Sequence, residues 1–224
     1  MKVEFGKLKF GETAKKNILH SLESSWVTMG PKVAEFEEKW GKLFDYKYNV
    51  AMSSGTDADI NACSSLYDFG AERGDEIIAP ALAFVAVGEA ILAAGFKPVF
   101  VDVKRETLNI DPEKIEDKIT SKTRAILTVH TMGKPCDMTS IMEIANKHNL
   151  MVIEDACEAH GAMYKDKFVG HYGDMTTFSY FSAHLICTAE GGMVSTNNYD
   201  LAEILKSTRT HGRVSGSAYF DHIR

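Results

Sequence analysis

The apolar positions of this chain change period along its length. Residues 12–25 place Ile18, Leu19 and Leu22 on one face, and residues 32–44 do the same with Val33, Phe36, Trp40, Leu43 and Phe44. That spacing predicts two amphipathic helices. Residues 28–31 between them read as a turn, with Pro31 suited to a first helical position. Short apolar runs then alternate with helical patterns. Strands are predicted at residues 48–52, 76–79, 98–103, 124–129 and 151–154, and helices at 56–68, 85–94, 112–119 and 138–148. The strands are nearly continuous apolar runs, as expected when both faces of a sheet are covered. The alternation therefore predicts an α/β fold, a mostly parallel sheet with helices on both faces. From Gly161 the regularity loosens: β-like pieces at 176–181 and 193–196 precede a helix at 201–207.

Composition narrows the function classes. The 224 residues carry 25 basic and 31 acidic side chains, a net charge of −6, with no dense Lys/Arg run. A nucleic-acid binder would usually show a basic face, so none is expected. An anionic ligand stays open, because backbone N–H groups bind phosphate without net positive charge. No apolar run reaches membrane-spanning length, and the opening MKVEFGKLKFGETAKK lacks the apolar core of a signal peptide. The scattered Cys63, Cys136, Cys157 and Cys187 read as reduced thiols of a cytoplasmic protein.

Four motifs could carry chemistry. Ser53-Ser54-Gly55-Thr56 lies between a strand and a helix, where exposed N–H groups and hydroxyls make a phosphate cradle; the alternative is a plain helix cap. Glu154-Asp155 closes an apolar strand, at the end of the sheet where α/β folds bind ligands; a carboxylate there suits a cationic ring nitrogen or a metal, and the alternative is again a cap. Cys157-x-x-His160 and His184-x-x-Cys187 have zinc-like spacing but no zinc-ribbon context. His184 follows Phe178-Ser179-Tyr180-Phe181 and precedes Glu190-Gly191-Gly192; a lone histidine is either a base or a satisfied structural residue. No G-x-G-x-x-G loop, Walker A loop or G-x-S-x-G elbow occurs, which disfavours nicotinamide, nucleoside-triphosphatase and α/β-hydrolase chemistry.

In order, SSGT, APALAF, PVFVDV, AILTVH, VIEDACEAHG, TTFSYFSAH and AEGGMVST resemble the DegT/DnrJ/EryC1/StrS family from about Trp26 to His211. The resemblance implies a fold type I (aspartate-aminotransferase-like) large domain across 1–224, with an N-terminal helical segment and with the small C-terminal domain absent from this chain. It implies pyridoxal 5′-phosphate or pyridoxamine 5′-phosphate as cofactor. Gly55 and Thr56 match the residues that hold its phosphate, and Ser179 matches a hydroxyl that contacts it. Phe84 matches the aromatic stacked on the ring, Asp155 the partner of the pyridinium nitrogen, and Glu158 a residue near the ring face or its hydroxyl. Aminotransferases of the family carry Lys where this chain has His184. That exchange resembles the Lys-to-His subgroup, GDP-4-keto-6-deoxy-D-mannose 3-dehydratase-like. It implies a noncovalent cofactor, His184 as base, glutamate as amino donor and a nucleotide-linked 4-keto-6-deoxysugar as substrate. The stretch after Arg209 has no cysteine, so no iron–sulfur cluster is expected. The resemblance also implies a homodimer. A nucleotide-sugar aminotransferase and an inactive cofactor-binding remnant are the alternatives.

Overall fold

A computed structural model describes residues 10–213. The first nine residues of the opening segment read for a leader and the cysteine-free stretch beyond Arg213 lie outside the described residues. The helices are α1 (Glu12–Glu23), α2 (Pro31–Phe44), α3 (Gly55–Ser64), α4 (Ala86–Ala93), α5 (Met138–His148) and α6 (Tyr199–Arg209). The strands are β1 (Tyr48–Met52), β2 (Glu76–Pro80), β3 (Lys97–Val101), β4 (Thr123–Val129), β5 (Met151–Asp155), β6 (Met163–Tyr164), β7 (Lys167–Phe168), β8 (Met175–Ser179) and β9 (Gly192–Thr196).

Seven strands form one sheet in the order β1-β9-β8-β5-β4-β2-β3. Neighbours from β8 to β3 run parallel, while β9 runs against β1 and β8. The expected mostly parallel α/β sheet is therefore present. Its two faces bury different sets. Ala125, Leu127, Ile153 and Met175 pack with α3, α4 and α6 residues such as Ala58, Ala62, Ile91 and Leu205. Ile126 and Val152 pack on the other face against Met138, Ile141 and Ala145 of α5. Trp40 and Phe44 of α2 extend that second layer over Phe178 and Tyr180. Residues i and i+2 of each strand thus share a layer, as the pleat requires.

Several expectations need correction. The helix expected at 112–119 is two single 3-10 turns, Pro112–Lys114 and Glu116–Lys118. Asp111 caps the N–H of Glu113, and Ile119 is already extended, so no α-helical turn can propagate. The helix expected at 56–68 tightens to 3-10 at Ser65–Phe69 and ends on left-handed Gly70. Leu43 is exposed; the inner face of α2 is carried by Trp40, Gly41 and Phe44. Residues Ile18, Leu19 and Leu22 do share a face of α1, yet all are exposed, and no residue of that helix is buried among the described residues.

The adjacent carboxylates of β5 separate across the sheet. Glu154, on the α5 face, is fully buried and accepts from the N–H groups of Gly170 (2.7 Å), Tyr172 (3.1 Å) and Gly173 (2.6 Å). Its Oε2 also lies 3.0 Å from His130 Nε2. Because His130 Nδ1 accepts from the Cys136 N–H, the Nε2 carries the proton and donates to Glu154. Glu154 is thus a structural anchor for the loop between β7 and β8. Glu154→Ala leaves buried donors without an acceptor, and a loss of about 3–5 kcal/mol is expected, read as a lower urea midpoint; Glu154→Gln, which keeps one acceptor oxygen, should lose less.

Candidate cofactor site

The opposite face of the β5 terminus holds the site. Asp155 is almost fully buried there and accepts the Cys157 N–H at 2.9 Å. Burial pushes its carboxyl above the usual range, opposed by the Cys157 hydrogen bonds. Ser179 ends the neighbouring parallel strand β8, also buried. Gly55 opens α3, which approaches from β1.

These elements touch closely. A Cβ on Gly55 would lie 2.6 Å from Ser179 Cβ, 3.0 Å from its Oγ and 3.2 Å from Cys157 Sγ. A Cβ on Gly192, the first residue of β9, would fall 2.0 Å from the Ser54 carbonyl oxygen. The turn before α3 is therefore clamped between β8 and β9, and only glycine permits the approach. Ser54 caps the helix by accepting the Asp57 N–H at 3.0 Å. The first intrahelical bond runs from the Ala58 N–H to the Ser54 carbonyl. The N–H groups of Gly55 and Thr56 precede it at the helix mouth. The capping reading of this motif is therefore observed, and it leaves those N–H groups without an intrahelical partner.

The remaining expected residues lie on the segments that follow β2, β5 and β8. Glu158 is exposed, and its Oε2 accepts the Met132 N–H at 2.5 Å. Phe84 stands just before α4 and is 77% exposed rather than packed in the core. His184 lies in the turn after β8, its N–H donating to the Phe181 carbonyl at 3.0 Å. Its ring centroid is 6.2 Å from that of His160. His160 in turn sits among Trp40, Phe178 and Tyr180, each with ring centroids 5.7 Å away. Burial, with a smaller contribution from His184, pulls His160 down to about 4, so it is neutral at pH 7. Among the described residues no three His, Cys, Asp or Glu side chains converge on a metal position.

Sequence reasoning missed Asp59. Its position, one turn before Ala62 and Cys63 on the buried face of α3, was the available signal: an acid set in an apolar stripe. It is 2% exposed, and its Oδ1 accepts the Thr177 hydroxyl at 2.6 Å. His160 was likewise noted only for its zinc-like spacing.

A helix N-terminus, a buried carboxylate and a strand-end hydroxyl thus meet at the carboxyl ends of the parallel strands, where α/β sheets bind ligands. The chain belongs to the DegT/DnrJ/EryC1/StrS aminotransferase family, which matches residues 9–223. It is 44% identical over 192 residues to a dTDP-3-amino-3,6-dideoxy-alpha-D-galactopyranose transaminase of Aneurinibacillus thermoaerophilus, covering 85% of this chain and 52% of the relative. It is 38% identical over 205 residues to a GDP-4-keto-6-deoxy-D-mannose 3-dehydratase of Yersinia pseudotuberculosis, covering 90% and 52%. A crystal structure of GDP-4-keto-6-deoxymannose-3-dehydratase with a trapped PLP-glutamate geminal diamine superposes with a TM-score of 0.88 at 34% identity, covering 94% of this chain and 55% of that one. The chain thus spans about half the length of the curated relatives it matches.

The close contacts at the clamp are testable in the protein itself. Gly55→Ala is expected to cost about 1–3 kcal/mol, since Ser179 Cβ must shift. Gly192→Ala should cost more, because the obstacle is backbone. Urea denaturation of both variants checks the order.

Proposed function

We propose that this chain carries the cofactor-binding part of an enzyme that removes the C3 hydroxyl of a nucleotide-linked 4-keto-6-deoxysugar. The observation that carries the reading is an imidazole, His184, in the turn that leaves the Ser179 floor, where the family's aminotransferases have Lys. The Yersinia relative, a 3-dehydratase by name, supports the same class.

Bound pyridoxamine phosphate would supply an amine for the sugar ketone and an electron sink for breaking the C3–O bond. The residues present fit that group, because the N–H groups of Gly55 and Thr56 precede the first intrahelical bond of α3 and Asp155 is a buried carboxylate at the strand end. Gly55 and Thr56 N–H groups, with the Ser179 hydroxyl, would hold its phosphate. Asp155 would keep the ring nitrogen protonated, Phe84 would cover the ring, and Glu158 would stand beside its hydroxyl. His184, as neutral imidazole, would take a proton from the cofactor's C4′ carbon and return one to the departing C3 hydroxyl. An imidazole forms no imine, so retention would rest on noncovalent contacts. Glutamate would restore the amine, as the PLP-glutamate structure of the dehydratase relative suggests by its own contents.

A second reading, a nucleotide-sugar aminotransferase, is favoured by the 44% identity to the Aneurinibacillus transaminase. Product analysis separates them: a 3-deoxy-4-keto sugar with released ammonia, or an aminosugar. The rim of the site exposes Phe84, Val85, Met132 and Leu185, each more than 70% exposed, an apolar set that a second copy of the chain would cover. The proposed assembly is accordingly a homodimer, and sedimentation at a strictly monomeric value would overturn it.

His184→Ala should lower 3-dehydration about 10²–10⁴-fold while leaving pyridoxamine phosphate absorbance on the protein after gel filtration. His184→Lys should retain pyridoxal phosphate through borohydride reduction and denaturation. Undiminished dehydration by His184→Ala sinks the base assignment.

A further inference from the structure

Asp59 has no role in the chemistry above, yet it sits directly beneath it. The groups facing it are Thr177 from β8, Asp155 from β5, Cys157 from the turn after β5 and Cys63 from its own helix. Thr177 lies directly opposite Asp155 in the parallel register of β5 and β8, so Asp59, bonded to Thr177, shares the small volume under the Asp155 carboxyl. Both thiols are pushed up by burial and by these carboxylates, and stay neutral. Among the described residues no cation contributes to Asp59's surroundings, whereas Asp155 has the hydrogen bonds of Cys157 in its favour. Two carboxyls this buried cannot both ionise cheaply. The one with the poorer set of donors holds the proton. Burial and the Asp155 charge accordingly raise Asp59 well above the usual carboxylate range, against a single hydroxyl donor.

We propose that Asp59 is the proton-bearing partner of Asp155, and that seating a cationic pyridinium on Asp155 loosens the Asp59 proton, coupling cofactor loading to proton release. The loading half rests on the cofactor reading above; the proton-bearing half does not. In the balance, the Asp59 O–H bond breaks, the electron pair stays on the carboxylate and the proton leaves to solvent. The ring's positive charge then faces two negative charges instead of one. Asp59 is a positioning residue for charge, since it acts on the ring through Asp155.

The sign of the pH effect follows. The unfolded chain loses the Asp59 proton in the ordinary carboxylate range, whereas the folded chain keeps it. Folded stability therefore falls as pH rises from that range through the raised folded value. Without cofactor, the urea midpoint of the wild type should decline as pH rises above the ordinary carboxylate range more steeply than that of Asp59→Asn, which has no ionisable carboxyl. With pyridoxamine 5′-phosphate, calorimetry in buffers of different ionisation enthalpy should give up to roughly one more proton released by wild type than by Asp59→Asn. Infrared difference spectra of the wild type, cofactor-bound minus free, should lose a protonated-carboxyl band, a readout independent of whether the variant folds. Parallel midpoint curves, or an unchanged carboxyl band with bound cofactor, overturn the proposal. Failure of pyridoxamine 5′-phosphate to bind while the midpoint curves diverge overturns the cofactor reading and the loading step, and leaves the Asp59 proton established.

Discussion

The site depends on the alternation of side chains at the end of β5. Glu154 and Asp155 are neighbours in sequence, yet the pleat sends them to opposite faces. Glu154 spends its oxygens on backbone N–H groups and His130, fixing the loop that feeds β8. That loop sets where β8 begins, and the β5–β8 register places Thr177 beside Asp155. Asp155 is therefore positioned by a carboxylate on the opposite face of the sheet. A one-residue slip of β5 would exchange the two, setting Glu154 on the α3 face and burying Asp155 under α5.

The same division explains what was legible in the sequence. The continuous apolar runs of β2, β4 and β5 placed the sheet, because strands covered on both faces leave that mark. The Ser54 cap and Gly55 marked the start of α3, where local chemistry fixes the backbone. Residues 112–119 misled because their composition suits a helix, while Asp111 satisfies the first N–H by a tighter turn. Leu43 misled because α2 turns toward β8 through aromatic contacts of Trp40, which no periodicity reveals. The apolar stripe of α1 was read correctly as a face, but none of the described residues buries it.

For the site, motif residues were legible and their supports were not. Gly55 and Asp155 stand at element ends, where α/β sheets gather ligands, so position made them candidates, whereas Ser179 entered only through the family resemblance. Asp59 and His160 act from inside the fold, and their meaning comes from contacts far along the chain: Asp59 with Thr177, His160 with Trp40 and Phe178. A charge within an apolar stripe is the trace such residues leave.

The exchange of lysine for imidazole at residue 184 changes what the rest of the site must do. A covalent lysine link would hold the cofactor even if its phosphate and ring contacts were mediocre. On the proposed reading nothing covalent remains, and retention falls to the α3 mouth, Ser179 and the charge pairing at Asp155. A charge pair at a buried site gains strength from low dielectric, but only if the unpartnered charge is not too costly in the empty protein. A neutral Asp59 meets that condition: it leaves one negative charge under the ring position before loading, and offers a second when the pyridinium arrives. The neutral His160 beside His184 works in the same direction, since a cationic ring there would oppose protonation of the base during proton transfer. Both internal residues therefore keep the empty pocket poor in net charge, which suits a cofactor that must enter, bind and leave without a covalent tether.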